Sequence, residues 1–208
     1  MHTARQVTIN LGISDEHVAV SDHIAYFWET EEQFADAVRF LEVGFRGADH
    51  GVVFGHPDAN AKVLSILKSH GFDHDKLQKD GRLTVMGGKP SGHDMLTEVG
   101  GAFQRAIDTG APLVRLLGNL GWGHQDWPTD LDILEFESKV TGACRHFPCV
   151  VVCMYDYTQL SGRIVVHGAY ETHPLTVCGN VLRENPHHLP IDTFLAKVGK
   201  AKADKQVA

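Results

Sequence analysis

DHIAYFWETEEQFADAVRFLEVGFRGADHGVVFG, residues 22 to 55, is the stretch that decides the fold of this chain. An apolar strand over His23–Trp28 leads into a turn and a long helix, and a second strand is predicted over Gly51–Gly55. Nucleotide-binding proteins of this layout carry a glycine-rich loop that ends in Lys-Ser or Lys-Thr. Here the turn contains Glu29, and two more glutamates follow it. Carboxylates at a helix N-terminus already complement the helix dipole and repel phosphates, so we expect no ATP binding.

Composition and charge limit the function classes. The chain has 208 residues, which is ample for a substantial α/β core. A net charge of −7 argues against a nucleic-acid surface. No apolar run approaches the ~20 residues that a membrane span needs, and the first ten residues lack a signal peptide's apolar stretch. We therefore expect a cytoplasmic protein with neither a nucleic acid nor a membrane as partner.

Apolar runs alternate with helical patterns along most of the chain. The runs are short and apolar on both faces, which is typical of parallel strands covered on both sides. This alternation predicts an α/β fold of three layers, with a mostly parallel sheet and helices on both faces. The further strands are predicted over 83–86, 113–117 and 150–155.

The sequence predicts one main domain with two flanking segments. We assign residues 1–19 to an N-terminal arm, 20–190 to the domain and 191–208 to a C-terminal tail. From Gly179 onward, prolines followed by Ala/Lys-rich residues favour an irregular arm and a frayed tail. Residues 159–171 are compatible with a helix or, over 163–167, a strand.

Two glycine-containing stretches do not form nucleotide motifs. Gly88-Lys89 lacks the glycine that a phosphate loop needs five positions earlier, and Pro90 replaces the hydroxyl residue. Glycines 118–123 stand in the wrong order for a dinucleotide fingerprint. The phosphate-loop layout of the opening segment is therefore degenerate.

The cysteines and histidines raise the question of a metal. Cys149 and Cys153 are four residues apart on one strand, so their side chains lie ~13 Å apart and cannot share one zinc ion. Buried, reduced thiols are the favoured interpretation. Cys153 could still meet His23 and His173, and these three are the ligands we would expect if a metal is bound. The carboxylates around residues 126–137 are typical of a solvated helix face.

The position of residues within the fold gives the clearest indication of a site. In an open α/β sheet, ligands bind beyond the carboxyl ends of the strands. Aromatic and polar groups at those ends suit a small, partly apolar organic ligand. The candidates from position are Trp28, Glu29, Asn119, Trp122, Tyr155 and Asp156.

Several motifs in a fixed order resemble a known family. HIAYFWETEEQF, FLEVGFRGADHGVVF, LKSHGFD, DGRLTV, LVRLLGNLGW, FESKV, CMYDY and THPLTV are similar to the MEDS sensory domain, named for methanogens, methylotrophs and the dichloromethane-responsive regulator. The opening unit also resembles the RecA/KaiC ATPase core without its Walker residues. The resemblance implies a RecA/KaiC-like fold with a degenerate P-loop and a role in sensing small hydrocarbon derivatives. By matching positions it points to His23, Arg115, Trp122, Glu137, Cys153, Tyr155, Asp156 and His173.

The resemblance also shapes the expected partners. A short MGGKPSGHDM stands where family members often have an aromatic-rich insertion, and we expect no helix-turn-helix or histidine kinase beside the domain. We therefore expect the signal to pass by contact with a separate signalling protein, such as a kinase or regulator. A homo-oligomer is left open, and the cofactor is unknown.

Three alternatives to a non-catalytic sensor of small molecules remain. The first is a metal- or haem-dependent redox sensor that uses His23, Cys153 or His173. The second is an enzyme acting on a one-carbon or halogenated compound, with Cys153 as nucleophile or His23 as base. The third is a protein-interaction module that needs no small molecule.

Overall fold

The computed structural model describes residues 7–207. The first six positions of the expected N-terminal arm and the last residue of the expected tail lie outside the described residues. In chain order the elements are β1 (Thr8–Asn10), β2 (His17–Ala19), β3 (His23–Trp28), α1 (Glu31–Arg46), β4 (His50–Gly55), α2 (Pro57–Ser69), α3 (His74–Lys79), β5 (Leu83–Met86), α4 (Gly92–Asp108), β6 (Val114–Asn119), α5 (Asp130–Ala143), β7 (Cys149–Asp156), α6 (Gly162–Ile164), β8 (Leu175–Cys178), β9 (Val181–Glu184) and α7 (Ile191–Val207).

The main sheet has the strand order β5-β4-β6-β7-β3-β8-β9. Every neighbouring pair is parallel except β8 and β9, which form an antiparallel hairpin at one edge. The predicted α/β class with a mostly parallel sheet is confirmed. The RecA/KaiC-like relationship within that class stays a prediction.

Helices cover both faces of the sheet and enclose two separate cores. One core lies under α4, α5 and α7, and the other lies under α1 and α2. Alternate residues of β3 supply them, with Ala25 and Phe27 on the first face and Ile24 and Tyr26 on the second. This division confirms the three predicted layers and explains why the central strands are apolar on both faces.

The turn after β3 is closed by a helix cap. Thr30 is the N-cap of α1, and its hydroxyl accepts from the backbone N–H of Gln33 at 3.2 Å. The Gln33 side-chain oxygen accepts in return from the N–H of Thr30 at 3.4 Å and also from the N–H of Glu29 at 2.8 Å. The capping box thus satisfies amides that a phosphate would otherwise bind.

The predicted frayed tail is wrong for the described residues. β9 pairs with β8, and α7 packs on α5 by burying Phe194 and Val198. These two side chains are four residues apart and form a narrow stripe on an otherwise Ala/Lys-rich helix. The prediction of a frayed tail was based on the Ala/Lys-rich composition of the segment. Two apolar side chains in one stripe change that composition very little.

The N-terminal arm packs on the domain within the described residues. β1 and β2 form an antiparallel hairpin, and Leu11 and Ile13 between them are fully buried. These side chains join the core under α1. The arm therefore covers part of the sheet face.

The undecided segment 159–171 is helical. α6 continues directly into a π-helical turn over Val165–Tyr170. Such turns are rare and often occur at functional sites, because their wider backbone frees carbonyl groups. Within the described residues, none of the helices has the length and apolar character needed to cross a membrane.

Candidate functional site

A cavity of about 460 Å³ lies where four adjacent strands end. Trp28 ends β3, His56 follows β4, Asn119 ends β6 and Asp156 ends β7. The loop after β6 adds Trp122 to the wall. The cavity is therefore at the carboxyl ends of the strands, where the sequence predicted a ligand, although binding there stays a prediction.

Two indole groups in the cavity wall have unused hydrogen-bond donors. The Nε1 atoms of Trp28 and Trp122 are buried and have no hydrogen-bond partner among the described residues. An unpaired buried N–H costs free energy comparable to a lost hydrogen bond. A ligand that carries an acceptor atom would remove this cost.

The wall also carries charge on the side of α2. The ammonium group of Lys62 lies 4.1 Å from the ring centre of Phe34 and forms a 2.7 Å ion pair with Glu31. His56 stacks on His124 with 4.4 Å between ring centroids. Burial and the neighbouring His124 lower the pKa of His56, so its ring is neutral near neutral pH. The cavity thus combines apolar surface with a few polar groups.

A second group of polar side chains meets beneath the cavity. His23, Glu137 and His173 have fully buried side chains, and Cys153 is 3% exposed. One ligand atom from each of the four lies within 4.8 Å of all the others. They come from β3, α5, β7 and the residue pair before β8, so only the folded sheet brings them together.

The two imidazoles have defined tautomers. His173 Nδ1 lies 3.1 Å from the Gly168 carbonyl and 3.0 Å from the Ala169 carbonyl, and carbonyls only accept, so this nitrogen carries the proton. The Thr141 hydroxyl donates to the Thr172 carbonyl at 2.7 Å, so it accepts from His23 Nδ1 at 2.8 Å. Both Nε2 atoms are therefore unprotonated and face the other members of the cluster.

Burial dominates the titration of this cluster. It lowers the pKa of His23 and of His173 to about 3, so both rings stay neutral at physiological pH. Burial likewise raises the pKa of the Glu137 carboxyl and of the Cys153 thiol. A carboxylate here would have no cation beside it among the four groups, which makes its ionised form costly unless a positive charge is supplied.

Tyr155 connects the cavity to the cluster. Its hydroxyl donates to Glu137 Oε1 at 2.8 Å, and its ring lies against that of Trp122 in the cavity wall. Gly168 packs against both rings, because a Cβ there would meet atoms of each at 3.3 Å. The same glycine supplies a carbonyl to His173, so one π-helical turn contacts both regions.

The predicted site residues lie in four separate places in the structure. Trp28, Asn119, Trp122 and Asp156 line the cavity, although Asp156 also accepts from the N–H and hydroxyl of Thr158 in its own turn. The buried cluster and its neighbour comprise His23, Glu137, Cys153, Tyr155 and His173. His23 is thus away from the cavity that it was expected to line. Glu29 lies on the exposed turn outside the cavity wall.

Arg115 is apart from both regions. It lies near the start of β6, forms a 2.7 Å ion pair with Asp49, and donates to the carbonyls of Asn10 and Phe40 at 3.0 and 3.2 Å. Because the cavity is at the opposite ends of the parallel strands, Arg115 has no contact with it. These bonds tie the N-terminal hairpin and α1 to the sheet.

Two other expectations from the residues are wrong. Glu137 was grouped with a solvated helix face, but its side chain is fully buried because it faces the sheet from the middle of α5. Cys178 is exposed at the edge of β8, whereas Cys144, Cys149 and Cys153 are buried as expected.

Sequence reasoning missed the groups that orient the cluster. Thr141 follows Glu137 by one helical turn, and this i, i+4 spacing was the available signal. No sequence signal identified the carbonyls of Gly168 and Ala169, because their position beside His173 depends on the π-helical turn. Lys62 was missed as a cavity-lining residue because it lies on α2 and not at the end of a strand.

Comparisons with known proteins agree with this architecture. The model of a family described as MEDS, "MEthanogen/methylotroph, DcmR Sensory domain", matches residues 22–174. The chain is 25% identical over 169 residues to the "Transcriptional repressor DcmR" of Methylorubrum extorquens (strain DSM 6343 / CIP 106787 / DM4). That alignment covers 77% of this chain and 63% of the repressor, so the chain spans less than two thirds of that relative.

Proposed function

The chain belongs to the MEDS family of sensory domains, and we propose that it binds a small, largely apolar organic molecule with a hydrogen-bond acceptor. The cavity at the strand ends is the site of binding in this proposal. The observation that carries it is a pair of tryptophans, Trp28 and Trp122, that line one cavity and whose buried indole N–H groups have no partner among the described residues. A halogenated or oxygen-bearing one-carbon compound carries such an acceptor and is small enough to enter the cavity.

The proposed response to binding is a change in the surface above the cavity. Residues 120–129 connect β6 to α5 and carry Trp122, His124 and the glycine turn at Gly123, whose φ is +73°. A ligand that bonds to the Trp122 indole would shift this loop relative to α2. We propose that a signalling protein, such as a kinase or a transcription regulator, reads the loop by direct contact.

A non-catalytic role is part of the proposal. The thiol of Cys153 is buried, and burial raises its pKa well above the ordinary value of 9.0, so it is not a thiolate that attacks a substrate. His23 is outside the cavity wall and its proton-bearing nitrogen is bonded to Thr141. Neither residue favours the enzymatic alternative.

Tryptophan fluorescence and thermal unfolding test the binding proposal. A panel of halogenated and oxygenated one-carbon compounds is titrated into the full chain, and at least one should quench fluorescence and raise Tm. Trp122→Phe and Trp28→Phe each remove one N–H and keep an aromatic ring, so each should weaken binding about 5- to 10-fold, the effect of one neutral hydrogen bond. Trp127→Phe is the matched control, because Trp127 is buried outside the cavity wall.

Each outcome of these titrations has a different interpretation. Unchanged affinity in both cavity variants would show that the ligand binds elsewhere. An equal loss in Trp127→Phe would show a general effect of removing tryptophan. Conversion of a panel compound into a product by the wild-type chain would favour the enzymatic alternative over the sensor.

A further inference from the structure

The four ligand atoms of the buried cluster have the spacing of a tetrahedral metal site. His23 Nε2 lies 3.3 Å from Cys153 Sγ and 3.4 Å from Glu137 Oε2. The same carboxylate oxygen lies 3.5 Å from Cys153 Sγ and 3.7 Å from His173 Nε2. Ligands bound to zinc at about 2.1 Å, or about 2.3 Å for sulfur, lie about 3.4–3.6 Å apart in a tetrahedron. These four of the six separations match that range to within about 0.3 Å, and the other two are within 4.8 Å.

We propose that His23, Glu137, Cys153 and His173 bind one zinc ion. The proposal does not rest on ligand binding in the cavity. It adds Glu137 to the three ligands that the sequence offered for a metal, and the added carboxylate completes a four-coordinate site.

The outer contacts are those that a metal site requires. Each histidine donates its Nδ1–H to a protein acceptor, namely the Thr141 hydroxyl or the Gly168 and Ala169 carbonyls, and so points an Nε2 lone pair inward. Tyr155 donates to Glu137 Oε1 and leaves Oε2 for the ion. Oriented histidines and hydrogen-bonded carboxylates of this kind surround most protein metal centres.

A single proton cannot satisfy this cluster. His173 Nε2 is fully buried and has no hydrogen-bond partner among the described residues. Even if the Cys153 thiol donated to His23 Nε2 at 3.3 Å, a proton on Glu137 Oε2 would have to reach His173 Nε2 over 3.7 Å, which is too long for a hydrogen bond. One cation at the centre satisfies both lone pairs, the sulfur and the oxygen together.

The charge also balances for a divalent ion. A thiolate and a carboxylate contribute two negative charges, and the neutral imidazoles contribute none. A Zn²⁺ ion therefore makes the buried site neutral, whereas without it the carboxylate is an unpaired buried charge. Mixed sulfur and nitrogen donors in a tetrahedron favour zinc over the hard cations that prefer oxygen.

The close approach of the four groups excludes haem from the same position. Their ligand atoms all lie within 4.8 Å, and the rings of His23 and His173 are 3.9 Å apart between centroids. A porphyrin needs its axial ligands on opposite faces of a wide plane. With four protein ligands the zinc site is closed, which is typical of an ion that holds structure together.

Refolding with defined metals tests the proposal. The full chain, with Cys178→Ser to remove the exposed thiol, is unfolded with a chelator and reductant and refolded with Zn²⁺ or Co²⁺. After gel filtration, elemental analysis should give one zinc per chain. The Co²⁺ form should show thiolate-to-cobalt charge transfer and the strong visible bands of four-coordinate cobalt.

Two variants locate the ion. Glu137→Gln and Cys153→Ser should each weaken zinc binding more than about 100-fold in competition with a chelator, because even outer-shell partners are worth about 10–100-fold. Cys149→Ser, four residues earlier on the same strand, is the matched control and should keep wild-type affinity. Glu137→Gln keeps the acceptor for Tyr155 and removes the buried charge, so it should refold without metal even if Cys153→Ser does not.

Two results would overturn the proposal. The first is refolded protein that retains less than about one-tenth of an equivalent of zinc. The second is stoichiometric zinc at wild-type affinity in Glu137→Gln, which would mean that the ion binds other histidines of this His-rich chain. A cobalt form without thiolate charge transfer would have the same meaning.

Discussion

The rings of Trp122 and Tyr155 lie 6.3 Å apart between centroids, tilted by 36°. Trp122 belongs to the cavity wall, and the Tyr155 hydroxyl donates to Glu137 in the buried cluster. The two halves of the candidate site therefore share one packed side-chain contact. A shift of the Trp122 ring on ligand binding would reach the cluster through Tyr155, so the two regions should influence each other.

Tyr155→Phe tests this connection from the side of the cluster. The change keeps the ring that packs on Trp122 and removes the only donor to Glu137 Oε1 among the described residues. Zinc affinity should fall about 10- to 100-fold, as for other outer-shell losses. At saturating zinc, cavity ligands should bind as in the wild type, because the ring that packs on Trp122 remains. The measurement is chelator competition beside a fluorescence titration.

The control for that variant is Tyr26→Phe. Tyr26 is also buried in the sheet, but it faces the other core and donates to the Gln33 carbonyl at 2.7 Å. Its loss should leave zinc affinity unchanged. Equal affinity in Tyr155→Phe and wild type would show that the hydroxyl has no part in holding the ion.

Gly168→Ala tests the shared π-helical turn. A Cβ at this position would meet Trp122 and Tyr155 atoms at 3.3 Å, so both rings must move by a few tenths of an ångström. We expect a loss of about 1–3 kcal/mol in the free energy of unfolding, together with weaker binding in the cavity. Urea unfolding and fluorescence titration measure the two effects.

Gly162→Ala is its counterpart in the preceding turn, where a Cβ would meet nothing within 4 Å. This variant should be as stable as the wild type or slightly more so. A Gly168→Ala protein with wild-type stability and affinity would show that the two rings have room to separate.

The sequence could predict the layers and the edge of the sheet that carries the cavity, because both follow from local apolar patterns. Strand β3 was predicted with the observed bounds, since five consecutive buried residues followed by the partly buried Trp28 give a nearly continuous apolar run. Local sequence patterns could not show that His23, Cys153 and His173 lie together. Their proximity depends on which strands become neighbours in the sheet.

Glu137 is a second example of a site residue whose position could not be predicted from the sequence pattern alone. It lies among several acidic residues, and only the side of α5 that faces the sheet distinguishes it from them. Glu137 became a candidate through the family resemblance alone. Its burial could be recognised only once the structure showed how α5 packs on the sheet. α7 was missed for a related reason, because two buried side chains do not outweigh a Lys-rich composition.

Arg115→Met should affect stability and leave ligand binding unchanged. The Arg115 side chain is 4% exposed, and its loss leaves Asp49 and two backbone carbonyls without their donor. Breaking a buried pair costs about 3–5 kcal/mol, and we expect the lower end because Asp49 is partly exposed. Arg39→Met removes a pair in which Arg39 is 57% exposed although Asp36 is largely buried, so it should cost less than Arg115→Met, about 1 kcal/mol. Weakened cavity binding in Arg115→Met would contradict a purely structural role.

His50 should make stability depend on pH. Burial lowers its pKa below the ordinary 6.5, and the neutral ring donates to the Gly81 carbonyl and accepts from the Thr84 hydroxyl. The unfolded chain therefore gains a proton near pH 6.5 while the folded chain does not. This contribution is complete above pH 6.5 and falls as the pH decreases toward the folded pKa.

The measurement for His50 is the free energy of unfolding in urea from pH 8 to pH 5. His50→Gln retains a donor and an acceptor but does not titrate, so it isolates this residue from the other histidines. The stability advantage of the wild type should be constant above about pH 7 and should shrink below about pH 6.5. An advantage that stays constant down to pH 5 would mean that His50 titrates alike in both states.

Phe194→Ala tests whether α7 is part of the core. The Phe194 side chain is 1% exposed and packs with Val198 in the core that also contains α5. Its removal should cost about 3–5 kcal/mol of unfolding free energy, because the cavity that remains is enclosed by α5 and the sheet. Thr193→Ala, at the exposed position beside it, should change stability by less than about 0.5 kcal/mol.

If both variants unfold at the same urea concentration as the wild type, α7 contributes nothing to the core and the frayed tail would be the better description. A large loss in Phe194→Ala alone would instead establish α7 as the element that closes the core over α5, the helix that carries Glu137.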